Sequence, residues 1–243
     1  MDLTFAGRDG RTVLHNAYCE TPFKITRLLN GRPPMAHLIL MHSTAGVFGG
    51  DELECSIRVE RGSRVLITQQ SATKIHPSGE RPAIQKNHVV VEAGGELHLY
   101  LEPLIPFADS ILRQTTRIDV EAGGRLMFLE AFMAGRIGRG ERWQFQELAS
   151  ETQLFLDSRL AYLDRFRLNG LVDSPWTMAD CNYLATGLCV GEHASSFARM
   201  LHQKLPEAGI DTPIPEVAVT RIVSAAGPDF HRYREMFCVT SAA

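Results

Sequence analysis

The sequence predicts a mainly β fold: a layered, solenoid-like stack of β-hairpins, similar to a β-helix, with two short α-helices in the C-terminal third. The main observation is a recurring motif, V-E-x-G-x-x-[L/V], which begins at Val59, Val91 and Val120. A repeat period of about 30 residues is typical of stacked supersecondary units. Strand-like alternation around each copy is the second observation. A β-sandwich is the alternative, since hairpins at regular spacing also build sandwiches.

Each copy of the motif is predicted to form a hairpin. Apolar and polar residues alternate before each motif glutamate, which is the period of a half-buried strand. Gly62, Gly94 and Gly123 then supply the positive φ that a tight turn demands. A second apolar strand follows at residues 65–68, 97–101 and 126–129, and a weaker fourth copy runs through residues 153–156.

Two later segments have helical rather than strand spacing. In residues 194–205, apolar side chains recur every three or four positions, and Ser195 or Ser196 is the candidate N-cap. In residues 228–237, an initial proline suits the first helical turn and three aromatic residues share one face. A strand at residues 217–223 is predicted between the two helices.

The composition is that of one globular domain. The chain has 243 residues, of which 44% are hydrophobic and 22% charged, both ordinary values. Because no segment resembles a linker, we predict a single domain over residues 1–243. The net charge of −3 argues against nucleic-acid binding. The five cysteines include no C-x-x-C pair, which argues against a disulfide framework or a zinc knuckle.

The sequence contains no targeting or membrane signal of the usual kinds. No stretch approaches the roughly 20 apolar residues that a membrane helix needs. The first residues carry dispersed charges and lack the apolar region of a secretory signal. We therefore expect a cytoplasmic protein that binds neither membrane nor nucleic acid.

The segment G-V-F-G-G-D at residues 46–51 resembles a phosphate-binding glycine loop only superficially. Neither Lys-Ser nor Lys-Thr follows it, and residues 52–60 alternate like a strand rather than opening a helix. We interpret the glycines as a tight turn that Asp51 caps through its own side chain.

A second glycine-rich loop, at residues 134–142, carries three arginines. Arginine is favoured in protein interfaces, where its planar guanidinium group matches carboxylates. We predict that Arg136 and Arg139 contact a protein partner.

Acidic residues recur at matching positions of the repeats, among them Glu102 and Glu130. If the units stack, their oxygen atoms line up, which suits a weakly held hard or borderline cation. The alternative is a solvated strand end, where charged residues are ordinary. Because no catalytic motif is present, we assign no catalytic residue and expect a protein that is not an enzyme. A hydrolase using two of Glu102, Glu130 and Glu141 is the alternative.

Taken together, these motifs resemble the urease accessory protein family UreD, called UreH in some organisms. The residues that carry the resemblance are G-V-F-G-G-D at 46–51, T-Q-Q-S-A-T-K at 68–74, L-E-P-L-I-P-F at 101–107, and Gly135-Arg136 followed by Gly140-Glu141. They occur in the family's order and spacing, from about residue 45 to about residue 168.

The resemblance implies a non-catalytic chaperone or scaffold of urease maturation. Proteins of this family bind apo-urease and recruit UreF and the GTPase UreG, so that nickel reaches the urease active site. No tightly bound cofactor is expected, and nickel binds at most transiently. Asp51, Glu102 and Glu141 lie in matched motifs and Glu130 lies just before one, so these four are the candidate nickel-path residues. An adaptor without a metal role is the remaining alternative.

Overall fold

Two β-sheets make up most of the molecule. The computed structural model describes residues 1–29, 35–170, 181–205, 208–224 and 231–236. The strands of these residues are β1 (Asp2–Arg8), β2 (Arg11–Tyr18), β3 (Phe23–Ile25), β4 (Ala36–His42), β5 (Glu52–Val59), β6 (Arg64–Gln69), β7 (Thr73–Ile75), β8 (Ala83–Val91), β9 (Glu96–Tyr100), β10 (Leu104–Pro106), β11 (Ile111–Val120), β12 (Arg125–Met133), β13 (Glu147–Leu156), β14 (Arg159–Asn169), β15 (Tyr183–Val190), β16 (Gly209–Ile214) and β17 (Val217–Ser224). A seven-stranded sheet has the order β14-β13-β11-β8-β5-β1-β2, and a ten-stranded sheet is built around the order β16-β17-β15-β12-β9-β6-β4-β3.

The chain winds between the two sheets in coils. It runs through β4 and β5 in coil one, β6 and β8 in coil two, β9 and β11 in coil three, and β12 and β13 in coil four. Equivalent strands of successive coils pair in parallel. The short strands β7 and β10 pair on a third side, where Lys74 lies opposite Ile105. The predicted mainly β, solenoid-like fold of about four turns is therefore confirmed.

The strands on the two sides of the Gly62, Gly94 and Gly123 turns do not pair with each other, so that part of the prediction is wrong. The turn at Gly62 leads from β5 in one sheet to β6 in the other, and β5 pairs instead with β8. Because the glycine turn crosses between the sheets, the strands on its two sides are separated. Each strand finds its partner one coil away, about 30 residues along the chain.

The glycine turns of successive coils stack on one another. Each turn has four residues and begins at the motif glutamate. In two turns the backbone N–H of the fourth residue donates to the carbonyl of this glutamate at 2.8 Å, from Gly95 to Glu92 and from Gly124 to Glu121. The third residue of the turn has positive φ, +72° at Gly94, which favours glycine. The conformation of the turn thus explains the glycine of the motif.

The motif glutamate joins each turn to the one before it. The Glu121 carboxylate accepts the backbone N–H of Ala93 at 3.0 Å, and Glu92 does the same for the preceding turn. In the fourth copy, Asp157 accepts the N–H of Ala122 at 2.7 Å. Because each carboxylate satisfies a turn donor, this hydrogen bond gives a physical reason for an acidic residue at each of these positions.

Replacing Glu121 by alanine is expected to lower the free energy of unfolding by about 0.5–1 kcal/mol, the usual net value of one exposed hydrogen bond. Glu60→Ala is the matched control, since Glu60 has the same place in the motif but its carboxylate accepts no hydrogen bond from the described residues. Urea unfolding of both variants makes the comparison. Equal losses would show that the ladder of carboxylates contributes nothing to stability.

Helices cover the outer face of the ten-stranded sheet. Helix α1 (Ala194–Lys204) buries Phe197 and Leu201 against this face. The predicted helix at 194–205 is confirmed, but its N-cap is His193 and neither predicted serine caps it. The Ser196 hydroxyl donates to the His193 carbonyl at 2.9 Å, so it does not accept a hydrogen bond from a free helical N–H.

A second helical segment spans residues 231–236. Its Tyr233 is fully buried, and the hydroxyl group lies 2.8 Å from that of Thr220 on β17. The other residues of the predicted helix, 228–230 and 237, lie outside the described residues. The predicted strand at 217–223 is β17. No helix in the described part of the chain is long and apolar enough to cross a membrane.

Candidate functional site

The interior of the solenoid is apolar towards both ends of its strands and polar in between. Along β11 the inward-facing side chains are, in order, Leu112, Gln114, Thr116 and Ile118, because alternate residues of a strand face the same side. Leu112 and Ile118 belong to two separate apolar clusters. Gln114 and Thr116, which are also buried, interrupt the core between them.

Neighbouring coils repeat this interruption in register and form what we call the polar belt. The belt consists of Gln85, Asn87, Gln114, Thr116, Ser150 and Thr152, paired across β8, β11 and β13. The Asn87 side-chain amide donates to the Thr116 hydroxyl oxygen at 3.1 Å. The sequence analysis missed the belt. The signal was present, because each belt residue lies an even number of positions from a buried apolar residue of the same strand and therefore faces the same side.

Glu130 on β12 faces the polar belt from the opposite sheet. Its exposed fraction is only 5%. Gln114 Nε2 donates to its Oε2 atom at 3.0 Å, and the Thr152 hydroxyl donates to its Oε1 atom at 2.9 Å. Burial raises the pKa of Glu130 to about 7, while both hydrogen bonds act to lower it. This carboxyl group therefore gains and loses its proton near neutral pH.

A cavity of about 60 Å³ lies beside Glu130, and its lining includes Glu102, His42 and Cys55. This volume has room for a few water molecules. Burial lowers the pKa of His42 and raises that of Cys55 to about 12, so neither is charged at neutral pH. Among the described residues of the lining, the two glutamates are therefore the groups able to carry negative charge.

Glu102 connects the cavity to the outer helices. Its carboxylate forms an ion pair with Arg234 of the helical segment 231–236, and its side chain is only 16% exposed. Its backbone N–H donates to Gln69 Oε1 at 3.3 Å. Because Arg234 balances its charge, a cation entering the cavity would compete with this arginine for Glu102.

Asp51 lies at the turn that precedes β5. The Phe48 N–H donates to Asp51 Oδ2 at 2.8 Å, and the Asp51 N–H donates to the Phe48 carbonyl at 3.0 Å. The interpretation of residues 46–51 as a turn capped by Asp51 is thus confirmed. This position does not belong to the lining of the cavity.

Glu141 and Arg136 form an ion pair in the arginine loop. Arg136 Nε lies 2.7 Å from Glu141 Oε2, and its guanidinium group lies 4.1 Å from the centre of the Phe107 ring. The hydrogen bond from Arg136 lowers the pKa of Glu141. Arg139 is exposed in the short 3₁₀ helix Ile137–Arg139 and has no ion pair among the described residues.

The four candidate nickel-path residues thus occupy three places. Glu102 and Glu130 share the cavity, Asp51 holds a turn, and Glu141 pairs with an arginine on the surface. Among the described residues, no group of three or more histidine, cysteine or acidic side chains is arranged to hold a metal ion. The hydrolase alternative needs two of Glu102, Glu130 and Glu141. Of these, Glu102 and Glu130 share a cavity, which is too small for a sugar ring or a peptide.

Comparison with known proteins decides the family. A model of the UreD urease accessory protein family matches residues 1–239. The chain belongs to the UreD family. The UreD protein of Deinococcus radiodurans is 34% identical over 193 residues, which are 78% of this chain and 69% of that protein. This confirms the resemblance found in the motifs.

Other members of the UreD family match over more of their length. UreD 2 of Streptomyces griseus is 33% identical over 221 residues, 86% of this chain and 75% of that protein. The urease accessory protein UreH of Helicobacter acinonychis is 24% identical over 230 residues, 90% of this chain and 84% of that protein. A urease accessory role for this UreD chain follows from these matches.

Proposed function

We propose that this chain is a non-catalytic scaffold of urease maturation. It binds apo-urease, recruits UreF and the GTPase UreG, and takes part in the delivery of nickel to the urease active site. Membership of the UreD family supports the accessory role, because the relatives are named as urease accessory proteins. The part played in nickel delivery is carried by one observation, the two carboxylates beside a polar cavity inside the solenoid.

The chemistry of this cavity suits an ion that must move on. Carboxylate, amide and hydroxyl oxygens hold a borderline cation such as Ni²⁺ more weakly than a closed cage of imidazole and thiolate ligands does. Glu130 has a pKa of about 7, so it exchanges a proton for a cation at little cost near neutral pH. We assign Glu102 and Glu130 to the nickel path on this basis.

The test is maturation of urease in cells that express the urease subunits and the other accessory proteins with this chain. The double variant Glu102→Gln, Glu130→Gln is expected to co-purify with UreF and apo-urease as the wild type does, while the nickel content of urease falls several-fold. Glu60→Gln is the matched control, since this carboxylate lies in a turn away from the cavity.

Two results would contradict the proposal in different ways. If urease matured with the double variant had its full nickel content, Glu102 and Glu130 would not belong to a nickel path. The chain could then still act as an adaptor without a metal role. A folded wild-type chain that co-purifies with neither UreF nor apo-urease would overturn the accessory complex itself.

A further inference from the structure

The third side of the solenoid carries an open groove of about 760 Å³. Its floor is formed by the short strands that connect the two sheets, with Lys74 opposite Ile105 in the next coil. Phe107 and Met133 extend the apolar part of the floor. We call this feature the third-side groove, and it is separate from the internal cavity.

A stack of rings holds one wall of the groove. Phe48 stacks on His76 with a centroid distance of 4.3 Å, and His76 meets Phe107 edge to face at 4.9 Å. The Arg136 guanidinium group lies over the Phe107 ring and extends this column. Successive coils contribute one member each, so the winding of the backbone brings these side chains together.

The charge of the groove is opposite to that of the whole protein. Among the described residues that line it, Lys74, Arg136 and Arg139 are basic and none is acidic, although the chain has a net charge of −3. Arg136 forms an ion pair with Glu141, and Arg139 is close enough to act electrostatically on the same carboxylate. Lys74 is exposed and has no ion pair among the described residues, so three cations face this one carboxylate. Two positive charges are thus available to an incoming ligand.

The spacing of these charges indicates the shape of the ligand. Lys74 belongs to coil two, the apolar Ile105 to coil three and Arg139 to coil four, and all three line the groove. Neighbouring strands lie about 4.8 Å apart, so the paired strands of coils two and four lie about 10 Å apart. An extended peptide covers that distance in about three residues.

We infer that the third-side groove binds an acidic segment of a partner protein, in which carboxylates flank an apolar side chain. The apolar strip favours a peptide over a free phosphoanion, because a phosphoanion would pair with the cations and leave Ile105 and Met133 uncovered. The inference rests on the proposed function only in taking the ligand from a protein partner. The groove and its charges are properties of this chain.

The test is direct binding of a fluorescein-labelled peptide of alternating glutamate and leucine, followed by fluorescence anisotropy with the full chain. The double variant Lys74→Glu, Arg139→Glu is expected to bind at least about tenfold more weakly, because two attractive charges become repulsive. Arg11→Glu, Arg159→Glu is the matched control, since it makes the same change of net charge at exposed residues outside the groove. A peptide with glutamine for glutamate separates charge from apolar contact.

If the peptide binds, three outcomes would still overturn the inference. They are equal affinity for the two double variants, equal affinity for the glutamate and glutamine peptides, and displacement of the peptide by inorganic triphosphate as readily as by unlabelled peptide. The last would make the groove a phosphoanion site. If the peptide failed to bind while the wild type still co-purified with UreF and apo-urease, the groove proposal would fall and the accessory role would stand.

Discussion

Glu130→Gln is expected to make the protein more stable at pH 8, by about 3 kcal/mol. The pKa of Glu130 rises from an ordinary value of 4.5 to about 7 in the folded chain. Between these two values the unfolded chain loses the proton while the folded chain keeps it, so stability falls as pH rises through this window. A tenfold difference in proton affinity between the folded and unfolded chain corresponds to about 1.4 kcal/mol. Glutamine is neutral at every pH and removes this loss.

The hydrogen bonds of Glu130 can survive the substitution. The Thr152 hydroxyl still has an oxygen to donate to, and a rotation of the Gln114 amide by half a turn brings its oxygen towards the new NH₂ group. Urea unfolding from pH 5 to pH 8 is the measurement. The difference in the free energy of unfolding between the variant and the wild type must grow with pH. The other titrating groups contribute equally to both proteins and do not affect this difference. Parallel curves would mean that burial does not raise the pKa of Glu130.

Gly46→Ala is expected to destabilise the fold by about 3 kcal/mol or more. Gly46 has a φ of +149°, which L residues rarely adopt. A methyl group at this position would also lie 2.3 Å from the Lys74 carbonyl oxygen and 2.9 Å from the His76 ring. The backbone strain and the steric collision both lower the stability of the folded chain, so this substitution is expected to be strongly destabilising.

Gly62→Ala separates these two effects. Gly62 also has a positive φ, +74°, but a methyl group there would meet nothing within 4 Å. Its cost is therefore conformational strain alone, about 1–2 kcal/mol. Comparison of the two variants by urea unfolding gives the cost of the collision. If both variants lost the same stability, the close approach of coil two to Gly46 would be disproved.

The winding of the chain could be predicted because its signals are local. The motif glutamates and glycines lie in turns whose conformation depends on a few adjacent residues, as at Glu121 and Gly123. The pairing of strands could not be predicted in the same way. The same residues suit a glycine turn that closes a hairpin and a glycine turn that crosses between two sheets. Which of the two forms depends on contacts with strands one coil away.

The polar belt and the burial of Glu130 could be predicted from the sequence only in part. Glu130 interrupts the apolar run L-M-F-L-E-A-F-M, so both of its neighbours on the strand are hydrophobic and burial of its charge follows. Gln114 and Thr116 alternate with arginine and threonine, which gives two polar faces on the same strand. The buried residues Leu112 and Ile118 show which of the two faces points inwards. That Glu130 lies across the cavity from this face becomes clear only from the fold.

The parallel coils also leave a hazard at their ends, because a row of unpaired backbone groups there could recruit strands from another molecule. The seven-stranded sheet ends in β14 and β2, and both of these strands run antiparallel to their neighbours. The strand β14 carries exposed Arg159, Arg165 and Arg167. Arg165 and Arg167 form ion pairs with Glu151 and Glu147 of β13. An incoming strand would have to pass this row of charged side chains, which opposes end-to-end polymerisation.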